Sequence, residues 1–441
     1  MSQISQNVIV GPSKPLQGEI EVAGDKSISH RVAMLASIAK GESEVRNFLQ
    51  SEDCLNTLRA MEALGARSFF DQTGALHIHG TGGKLIQPAG VLDVGNSGTT
   101  IRLLAGLLAG QSGVFELTGD ESLRNRPMAR IKDPLEKMGA KVELTGERGT
   151  APIRIMGAEL KAIDYVLPVA SAQVKSCILL AALYAEGTTS ITEPLPTRDH
   201  TERLFKMLGL PLTVVGDHMT LTGFGKKGPA IQARSFDVPG DFSSAAFWLV
   251  AAAAREGSRV VIRNVGLNPR RTALLDVLAR AGANVRTYPA SGSDAGEPYG
   301  DIEVTGGSLR AVEVGGAEIP NLIDELPLVA VLGALSEGET VIRDAAELRV
   351  KESDRIATMA ANLRLMGVEV EETPDGMRVR GPALLKPSGA LRSYGDHRIA
   401  MAMSILAGFA AEKTVISNVA CVSTSYPTFW QDYRSLGGHV E

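Results

Sequence analysis

The chain has 441 residues, of which 44% are hydrophobic and 22% charged, as is typical of a globular protein. Its formal net charge of −5 argues against the strongly basic surface of a nucleic-acid-binding protein. The three cysteines are widely spaced, which argues against a disulfide framework and favours a reducing compartment.

The N-terminal residues lack the charged and apolar regions of a signal peptide. The most apolar stretch, Ala245–Ala254, is about half as long as a membrane span. We therefore expect a soluble, cytoplasmic protein with neither a nucleic-acid nor a membrane partner. At this length two domains are expected.

The first predicted helix follows a Gly-Asp turn. An extended run ends at Gly24, and apolar residues then recur with helical spacing. Asp25 and Ser27 are both suitable cap residues, which predicts Lys26, Ser27 and Arg31 at or near the helix N-terminus. Free backbone N–H groups and the helix dipole favour an anion there. Alone, however, the pattern is more typical of a capped surface helix with solvated charges.

The same arrangement recurs along the chain at intervals of roughly 70–80 residues, as expected for an internal repeat. Each recurrence has a strand-like run, a short polar turn and a helix start. The later helix starts lie in Val94–Arg102, Leu167–Lys175, Val238–Phe247, Ile319–Pro327 and Ser393–Ala400.

Each helix start is followed by an Ala/Leu-rich helix, a turn, a β-branched run and, in most repeats, a second amphipathic helix that ends in Gly. Six such repeats predict an α/β fold with helices covering one side of the sheets. The Ala/Leu-rich helices are predicted over Ala33–Ala39, Leu103–Ala109, Leu179–Ala185, Ala245–Ala254, Leu328–Leu335 and Ile399–Ala411.

Three repeats per domain predict one domain over residues 20–239 and another that combines residues 1–19 with 240–441. The segment Val8–Gly18 would then supply a strand to the second domain. A Gly/Ser/Pro-rich stretch, Tyr288–Tyr299, predicts a surface loop.

The helix starts are rich in hydroxyls, amides and cations, which suits a site that holds several phosphate or carboxylate groups. Two further segments add charge: Arg124, Arg126 and Arg130 surround a helix start, and Lys351 and Arg355 are predicted to share one helix face with i,i+4 spacing. Alone, the second segment is typical of a solvated, salt-bridged helix. So many cations in a net-acidic chain favour a focused anion-binding cleft instead.

Taken in chain order, six short runs resemble the 5-enolpyruvylshikimate-3-phosphate synthase family. The runs are Gly24–Arg31, Gly95–Thr99, Arg126–Met128, Ser171–Gln173, Val350–Arg355 and Asp396–Met401. Each run alone is a weak signal, but the ordered set spans essentially the whole chain and is specific.

The resemblance implies a two-domain enolpyruvyl transferase fold, an inside-out α/β barrel. Each domain would hold three βαβαββ units around a pseudo-threefold axis, with helix N-termini facing an interdomain cleft that contains the active site. It also implies a reaction: the enolpyruvyl group of phosphoenolpyruvate moves to the 5-hydroxyl of shikimate 3-phosphate, and phosphate is released. The enzyme would act in the shikimate pathway to chorismate and the aromatic amino acids, as a monomer without metal or cofactor.

The resemblance also implies ligands for each substrate. Those expected for shikimate 3-phosphate are Lys26, Ser27, Arg31, Ser171, Ala172, Gln173, Arg198, Asp324 and Lys351. Those expected for phosphoenolpyruvate are Lys26, Asn96, Gly98, Thr99, Arg126, Gln173, Glu352, Arg355 and Arg398.

The expected catalytic residues are Asp324, Glu352 and Lys26. Phosphoenolpyruvate carries a phosphate and a carboxylate, which Arg forks bind well. Addition of an alcohol to its double bond requires a base on the hydroxyl and an acid on carbon. The resemblance gives Glu352 as the proton donor to carbon, while the group that accepts the hydroxyl proton stays open.

The chain departs from the commoner family pattern at three positions. Arg198 follows Thr197 where many members have a Ser and a Tyr, so Arg198 is expected to bind the substrate phosphate. Glu347 replaces an Asn, and Ser425 lies near the position of a Lys that touches phosphoenolpyruvate. These features resemble the second sequence class, which includes glyphosate-tolerant members. Gly98 is the small residue usually linked with sensitivity, so we predict that glyphosate inhibits this enzyme.

Two alternatives compete with this interpretation. UDP-N-acetylglucosamine enolpyruvyl transferases share the fold and phosphoenolpyruvate, but they carry a reactive Cys where Gly119–Arg130 has none. A non-catalytic anion-binding relict of the fold would be favoured by loss of Asp324 or Glu352, and both are present.

Overall fold

The computed structural model describes residues 7–291, 296–387, 389 and 391–441. Part of the predicted surface loop, residues 292–295, therefore lies outside the described residues. The helices are α1 (Lys26–Ser37), α2 (Glu52–Ala63), α3 (Gly98–Ala109), α4 (Glu121–Arg124), α5 (Ala129–Lys137), α6 (Ala172–Ala182), α7 (His200–Met207), α8 (Phe242–Ala253), α9 (Ala273–Arg280), α10 (Ile319–Leu322), α11 (Leu326–Leu335), α12 (Arg355–Leu365), α13 (His397–Ala407) and α14 (Phe429–Ser435).

Short strands separate the helices. They are β1 (Asn7–Gly11), β2 (Gln17–Glu21), β3 (Lys40–Arg46), β4 (Arg67–Phe70), β5 (Leu76–Thr81), β6 (Leu92–Asp93), β7 (Val114–Thr118), β8 (Lys141–Leu144), β9 (Ile153–Met156), β10 (Leu160–Lys161), β11 (Asp164–Val166), β12 (Ala185–Glu186), β13 (Thr188–Thr192), β14 (Leu212–Val215), β15 (His218–Thr222), β16 (Phe236–Asp237), β17 (Arg259–Gly266), β18 (Asn284–Pro289), β19 (Tyr299–Thr305), β20 (Glu313–Val314), β21 (Gly338–Ile342), β22 (Glu369–Thr373), β23 (Gly376–Gly381), β24 (Leu391–Arg392), β25 (Thr414–Ser417) and β26 (His439–Val440).

The described residues divide into two compact units. The first unit comprises residues 24–238 with 296–297, and the second comprises 7–23, 239–291 and the described residues from 298 onwards. The sheets of the first unit have the strand orders β16-β3-β5-β4, β6-β7-β9-β8 and β11-β13-β15-β14, with a separate β10-β12 pair. Those of the second unit are β2-β17-β19-β18, β20-β21-β23-β22 and β24-β25-β1-β26.

All of these four-stranded sheets share one pattern. The first pair in each order is parallel, and the next two pairs are antiparallel. The N-terminal segment supplies strands to two sheets of the second unit, because β1 pairs with β25 and β26 and β2 pairs with β17. The recurring pattern confirms the predicted α/β class and its repeated units.

The six Ala/Leu-rich helices form the centres of the two cores. They are α1, α3 and α6 in the first unit and α8, α11 and α13 in the second. Every residue of α8 is buried, as expected for a helix that is apolar on all sides. In the first unit, a Cβ added at Gly106 of α3 would overlap the carbonyl oxygen of Cys177 of α6, so glycine permits this close approach.

Each of the six predicted Ala/Leu-rich helices is present, although four end earlier than expected, since α1 already ends at Ser37 and α8 at Ala253. Helix α6 ends at Ala182, and Ala185 already belongs to β12. Helix α13 ends at Ala407, where Gly408 forms the C-cap. Across the described residues, we find no helix with both the length and the apolar character needed to cross a membrane.

Candidate active site

The predicted site residues occur in both units. Those in the first unit are Lys26, Ser27, Arg31, Asn96, Gly98, Thr99, Arg126, Ser171, Ala172, Gln173 and Arg198, and those in the second are Asp324, Lys351, Glu352, Arg355 and Arg398.

The start of α1 is organised by two side chains. Asp25 is the N-cap, and its carboxylate accepts a hydrogen bond of 2.9 Å from the backbone N–H of Ile28. Arg31, one turn into the helix, donates to the Ser27 carbonyl oxygen at 2.8 Å. The chain therefore folds here as the sequence predicts, with Lys26 and Ser27 in the first turn of the helix.

Lys26 forms an ion pair with Asp53 of α2. The Asp53 side chain is only 6% exposed, whereas the Lys26 side chain is 20% exposed. This partner was not found by sequence reasoning, because Asp53 lies in the first turn of a different helix and belongs to none of the repeated motifs.

The start of α3 lies close to Arg126. Ser97 is the N-cap and accepts a hydrogen bond from the backbone N–H of Thr100 at 3.2 Å. A Cβ added at Gly98 would lie 2.8 Å from Nη1 of Arg126 and 3.0 Å from Nη1 of Arg102. Glycine at this position therefore leaves room for two guanidinium groups beside the N-terminal N–H groups of α3.

Arg102 connects the starts of α3 and α6. Its Nη1 donates to Oε1 of Gln173 at 2.6 Å, and its Nη2 donates to the Pro127 carbonyl oxygen at 3.1 Å. Gln173 in turn donates from Nε2 to Oγ1 of Thr99 at 3.0 Å. The structure thus brings Thr99, Gln173 and the segment next to Arg126 together, as a shared ligand of these groups would require.

Helix α6 begins with Ala172 and is capped by Ser171, whose hydroxyl accepts from the backbone N–H of Val174 at 3.4 Å. Gln173 is half-buried in the first turn. Asn96 is also half-buried, directly before the N-cap of α3, and Arg198 is half-buried in the segment before α7.

In the second unit, Arg355 is the centre of a carboxylate cluster. Its Nε donates to Oδ2 of Asp396 at 2.8 Å, its Nη2 to Oε2 of Glu352 at 2.6 Å, and its Nη1 to Oδ1 of Asp324 at 3.3 Å. Burial alone would lower the pKa of Arg355, but the charges of Asp396, Glu352 and Asp324 outweigh it and raise that pKa. The guanidinium is therefore held permanently charged between the two predicted catalytic carboxylates.

The prediction that Lys351 and Arg355 share one helix face is wrong. Lys351 has an extended backbone and follows a 3₁₀ helix over Ala346–Val350, whereas α12 begins at Arg355. The N-cap of α12 is Asp354, whose carboxylate accepts from the backbone N–H of Ala357 at 3.0 Å. Burial is the main cause that lowers the pKa of Lys351, against the opposing charges of nearby carboxylates that include Asp324.

Arg398 approaches Asp324 from α13. Its Nη1 donates to the backbone carbonyl oxygen of Asp324 at 3.0 Å and lies 3.6 Å from Oε1 of Glu325. The N-cap of α13 is Asp396, which accepts from the backbone N–H of Arg398 at 2.9 Å and also binds Arg355. One carboxylate thus caps the helix that carries Arg398 and binds the guanidinium of Arg355.

Arg271 is a further cation in this cluster that sequence reasoning missed. Its Nη1 lies 3.4 Å from Oε1 of Glu325 and 3.9 Å from Oδ2 of Asp324, and its Nη2 lies 3.6 Å from Oδ1 of Asp241. Arg271 is only 3% exposed. No repeated motif contains it, so only the tertiary structure reveals its position.

Chemically, both units combine cations with groups that can transfer protons. The first provides Lys26, Arg31 and Arg126 beside helix N-termini, and the second provides Arg355 and Arg398 beside carboxylates. Such sets can bind phosphate and carboxylate groups and carry out general acid–base steps.

Comparison with known proteins identifies the family. Residues 10–433 match the family described as EPSP synthase (3-phosphoshikimate 1-carboxyvinyltransferase). The chain belongs to this family.

Named relatives of the EPSP synthase family are similar over nearly their whole length. The 3-phosphoshikimate 1-carboxyvinyltransferase of Akkermansia muciniphila is 53% identical over 95% of this chain and 97% of the relative. The enzyme of the same name from Bacillus subtilis is 47% identical over 96% of this chain and 97% of the relative. The family assignment carries this transferase activity and its place in the shikimate pathway and aromatic amino acid biosynthesis.

Solved structures agree on the fold. EPSP synthase from Acinetobacter baumannii superposes with a TM-score of 0.86 at 42% identity and covers 99% of both chains. The enolpyruvyl transferase NikO from Streptomyces tendae gives a TM-score of 0.81 at 18% identity, covering 99% of this chain and 98% of its own, which shows a common fold alone. The predicted enolpyruvyl transferase fold is thereby confirmed.

Proposed function

We propose that the chain transfers the enolpyruvyl group by addition and elimination, with Glu352 as the acid on carbon and Asp324 as a base on the 5-hydroxyl. One observation carries this proposal: the guanidinium of Arg355 binds both carboxylates, Glu352 at 2.6 Å and Asp324 at 3.3 Å. The proposed phosphoenolpyruvate ligand Arg355 therefore contacts both carboxylates to which the proposal gives a proton-transfer role.

The remaining predicted residues bind the two substrates in this proposal. Shikimate 3-phosphate is held by Lys26, Ser27, Arg31, Ser171, Ala172, Gln173, Arg198, Asp324 and Lys351. Phosphoenolpyruvate is held by Lys26, Asn96, Gly98, Thr99, Arg126, Gln173, Glu352, Arg355 and Arg398. The proposal requires residues of both units to act on one pair of substrates. Binding both substrates in a reactive orientation supplies much of the acceleration, since each general acid–base step contributes about 10²–10⁴-fold.

In the addition step, the 5-hydroxyl oxygen forms a bond to C2 of phosphoenolpyruvate. The hydroxyl proton passes to the base, and Glu352 gives a proton to the methylene carbon, which becomes a methyl group. The product is a tetrahedral adduct that still carries the phosphate. Arg355 and Arg398 stabilise the phosphate and carboxylate charges during this step.

In the elimination step, the methyl group returns a proton to Glu352 and the double bond forms again. The bond between C2 and the phosphate oxygen breaks, and the phosphate leaves with a proton from the base. Glu352 and the base thus end each turnover in their starting protonation states.

The Glu352 assignment is tested with E352Q. We expect the variant to bind shikimate 3-phosphate normally while its turnover falls by about two or more decades. The matched control is E339Q, because Glu339 also pairs with arginines but is exposed. Turnover of E352Q close to that of the wild type would remove Glu352 from the mechanism.

Lys26 is the alternative base, and D324N and K26M distinguish the two. If Asp324 accepts the proton, D324N loses turnover at saturating substrate, while K26M mainly raises the KM values. Loss of turnover in K26M, with mainly raised KM values in D324N, would instead make Lys26 the group that accepts the hydroxyl proton.

The acceptor is tested by following phosphate release from phosphoenolpyruvate with either shikimate 3-phosphate or UDP-N-acetylglucosamine. We expect release only with shikimate 3-phosphate. Release only with the nucleotide sugar would support the alternative transferase, and binding of both substrates without release would support a non-catalytic module.

The proposal also includes that the protein is a monomer and acts in the cytoplasm. The described cysteines Cys54, Cys177 and Cys421 are free thiols, which is consistent with a reducing compartment. Sedimentation velocity with and without the two substrates measures the oligomeric state directly.

A further inference from the structure

One fully buried ammonium group of the first unit has no role in the proposed reaction. Lys175 lies one turn into α6, and its side chain is 0% exposed. Its Nζ lies 2.8 Å from Oε2 of Glu193 and 2.6 Å from Oε1 of Glu202. Glu193 directly follows β13, and Glu202 lies in the first turn of α7. We call these three residues the buried triad.

The buried triad joins the two ends of an irregular segment. Residues 194–199 lie between Glu193 and α7 and are neither helical nor part of a strand. Within this segment, Thr197 donates from its hydroxyl to Oε2 of Glu193 at 2.7 Å, and Arg198 follows directly. Lys175 therefore fixes, through two carboxylates, the segment that carries a proposed phosphate ligand.

The sequence neighbours of the triad hold the second proposed phosphate ligand, Arg31. Its Nε donates to Oγ1 of Thr201 at 2.7 Å, and its Nη2 donates to Oγ of Ser176 at 2.8 Å. The two hydroxyl groups are 2.7 Å apart and share a further hydrogen bond. Ser176 follows Lys175 and Thr201 precedes Glu202, so the triad joins the two helical turns that fix the Arg31 guanidinium.

The charge of the triad also suits this location. Two carboxyl groups of the triad lie near Arg31 and Arg198, whose positive charges oppose each other. Burial lowers the pKa of Arg31 to about 10, and the charge of Glu202 opposes this change. The guanidinium therefore stays protonated at neutral pH.

A contribution to folding stability does not by itself explain why three ionisable side chains are buried together in the triad. The cost of removing ions from water cancels much of their mutual attraction, and packed apolar side chains are often at least as stabilising. Precise placement of an Arg fork, in contrast, is what the recognition of a phosphate group needs.

We propose that Lys175 is a positioning residue that, through Glu193 and Glu202, sets the places of Arg31 and Arg198 for the phosphate of shikimate 3-phosphate. This inference rests on the proposed function. It predicts a selective defect, because the described contacts of the triad lead to the partners of Arg31 and to the segment that carries Arg198.

The test measures the Kd of shikimate 3-phosphate by calorimetry and the KM of phosphoenolpyruvate by phosphate release. We expect K175M and E202Q to raise this Kd by about tenfold or more, since hydrogen bonds to charged groups contribute at this level. The KM of phosphoenolpyruvate should stay within about threefold of the wild-type value. Unchanged Kd in folded K175M, or equal losses for both substrates, would overturn the proposal.

T201V keeps the test decisive if K175M fails to fold. It removes the hydroxyl that accepts from Arg31 while the buried triad stays intact, and it should also weaken shikimate 3-phosphate selectively. Unchanged Kd in folded T201V and E202Q would overturn the proposal. The control I155A shortens a buried side chain of β9 and should lower stability without changing this Kd. If the wild type itself does not bind shikimate 3-phosphate, the proposed function fails. This result is distinct from a failure of the positioning proposal, in which the wild type binds and the variants bind equally well.

Discussion

The carboxylate of Asp53 forms an ion pair with the ammonium of Lys26, so a residue of α2 holds a side chain from the first turn of α1. The Asp53 side chain is nearly buried, at 6% exposed. We expect D53N to leave the fold intact but to let Lys26 leave its position. A displacement of about 1 Å at a reacting group can cost about 10²-fold in rate, so kcat/KM should fall by about that factor.

The matched control for D53N is D237N. Asp237 also pairs with a cation, Arg46, at 2.6 Å, but its side chain is 72% exposed. Exposed ion pairs contribute little, so D237N should retain wild-type kcat/KM. Equal activities of the two variants would show that the Lys26 contact has no catalytic importance.

Gly98 is a position where one methyl group should change substrate affinity. The added Cβ of G98A would lie 2.8 Å from Nη1 of Arg126, so the flexible guanidinium must shift. We expect the KM of phosphoenolpyruvate to rise about tenfold or more, while the Kd of shikimate 3-phosphate changes little. The control is G90A, where an added Cβ meets no atom within 4 Å.

The same substitution should reduce inhibition by glyphosate. Glyphosate carries a phosphonate and a carboxylate, so the guanidinium groups proposed to bind phosphoenolpyruvate can also bind glyphosate. We expect millimolar glyphosate to inhibit the wild-type enzyme and to inhibit G98A less. An unchanged wild-type rate under these conditions would contradict the prediction.

Acidification should destabilise the protein through His30. Burial, with added repulsion from Lys26 and Arg31, lowers the pKa of His30 well below its ordinary value of 6.5. The unfolded chain therefore binds a proton between these two pKa values that the folded chain does not. The free energy of unfolding should fall below pH 6.5, by at most about 1.4 kcal/mol per pH unit from this group.

H30Q isolates that contribution. Urea denaturation at a series of pH values should give a flatter acid limb for H30Q than for the wild type, because glutamine cannot titrate. H218Q removes an exposed imidazole on β15 and serves as the histidine control. Parallel acid limbs for H30Q and the wild type would contradict the buried, neutral state of His30.

Local patterns predicted the helix starts well because capping and apolar spacing are encoded within a few neighbouring residues. Asp25, Ser97 and Ser171 all cap their helices as such patterns require. The error at Lys351 had a local cause too. Asp354 is a good N-cap, and this signal could have placed the helix start at Arg355.

The partners of the site residues could not be predicted in the same way. Asp53, Arg271 and Glu202 approach their partners only after distant parts of the chain have packed together. Without an aligned set of relatives, a single sequence gives no signal for such pairs. The resemblance supplied the proposed substrate ligands, whereas the residues that contact those ligands were found only in the structure.

Arg271 should stabilise the second unit as well as its active-site carboxylates. It is 3% exposed and lies 3.4 Å from Glu325 and 3.9 Å from Asp324. R271M removes a cation from a buried cluster, and among the described ion pairs Glu325 would keep Arg398 at 3.6 Å. We expect the free energy of unfolding, measured in urea, to fall by about 3 kcal/mol, because the loss of one cation leaves the buried carboxylates of the cluster less well compensated. The exposed control R286M should change it by less than about 0.5 kcal/mol. If R271M were as stable as R286M, the carboxylate cluster would not depend on Arg271. Any loss of turnover in R271M would then have to come from its lost contact with Asp324.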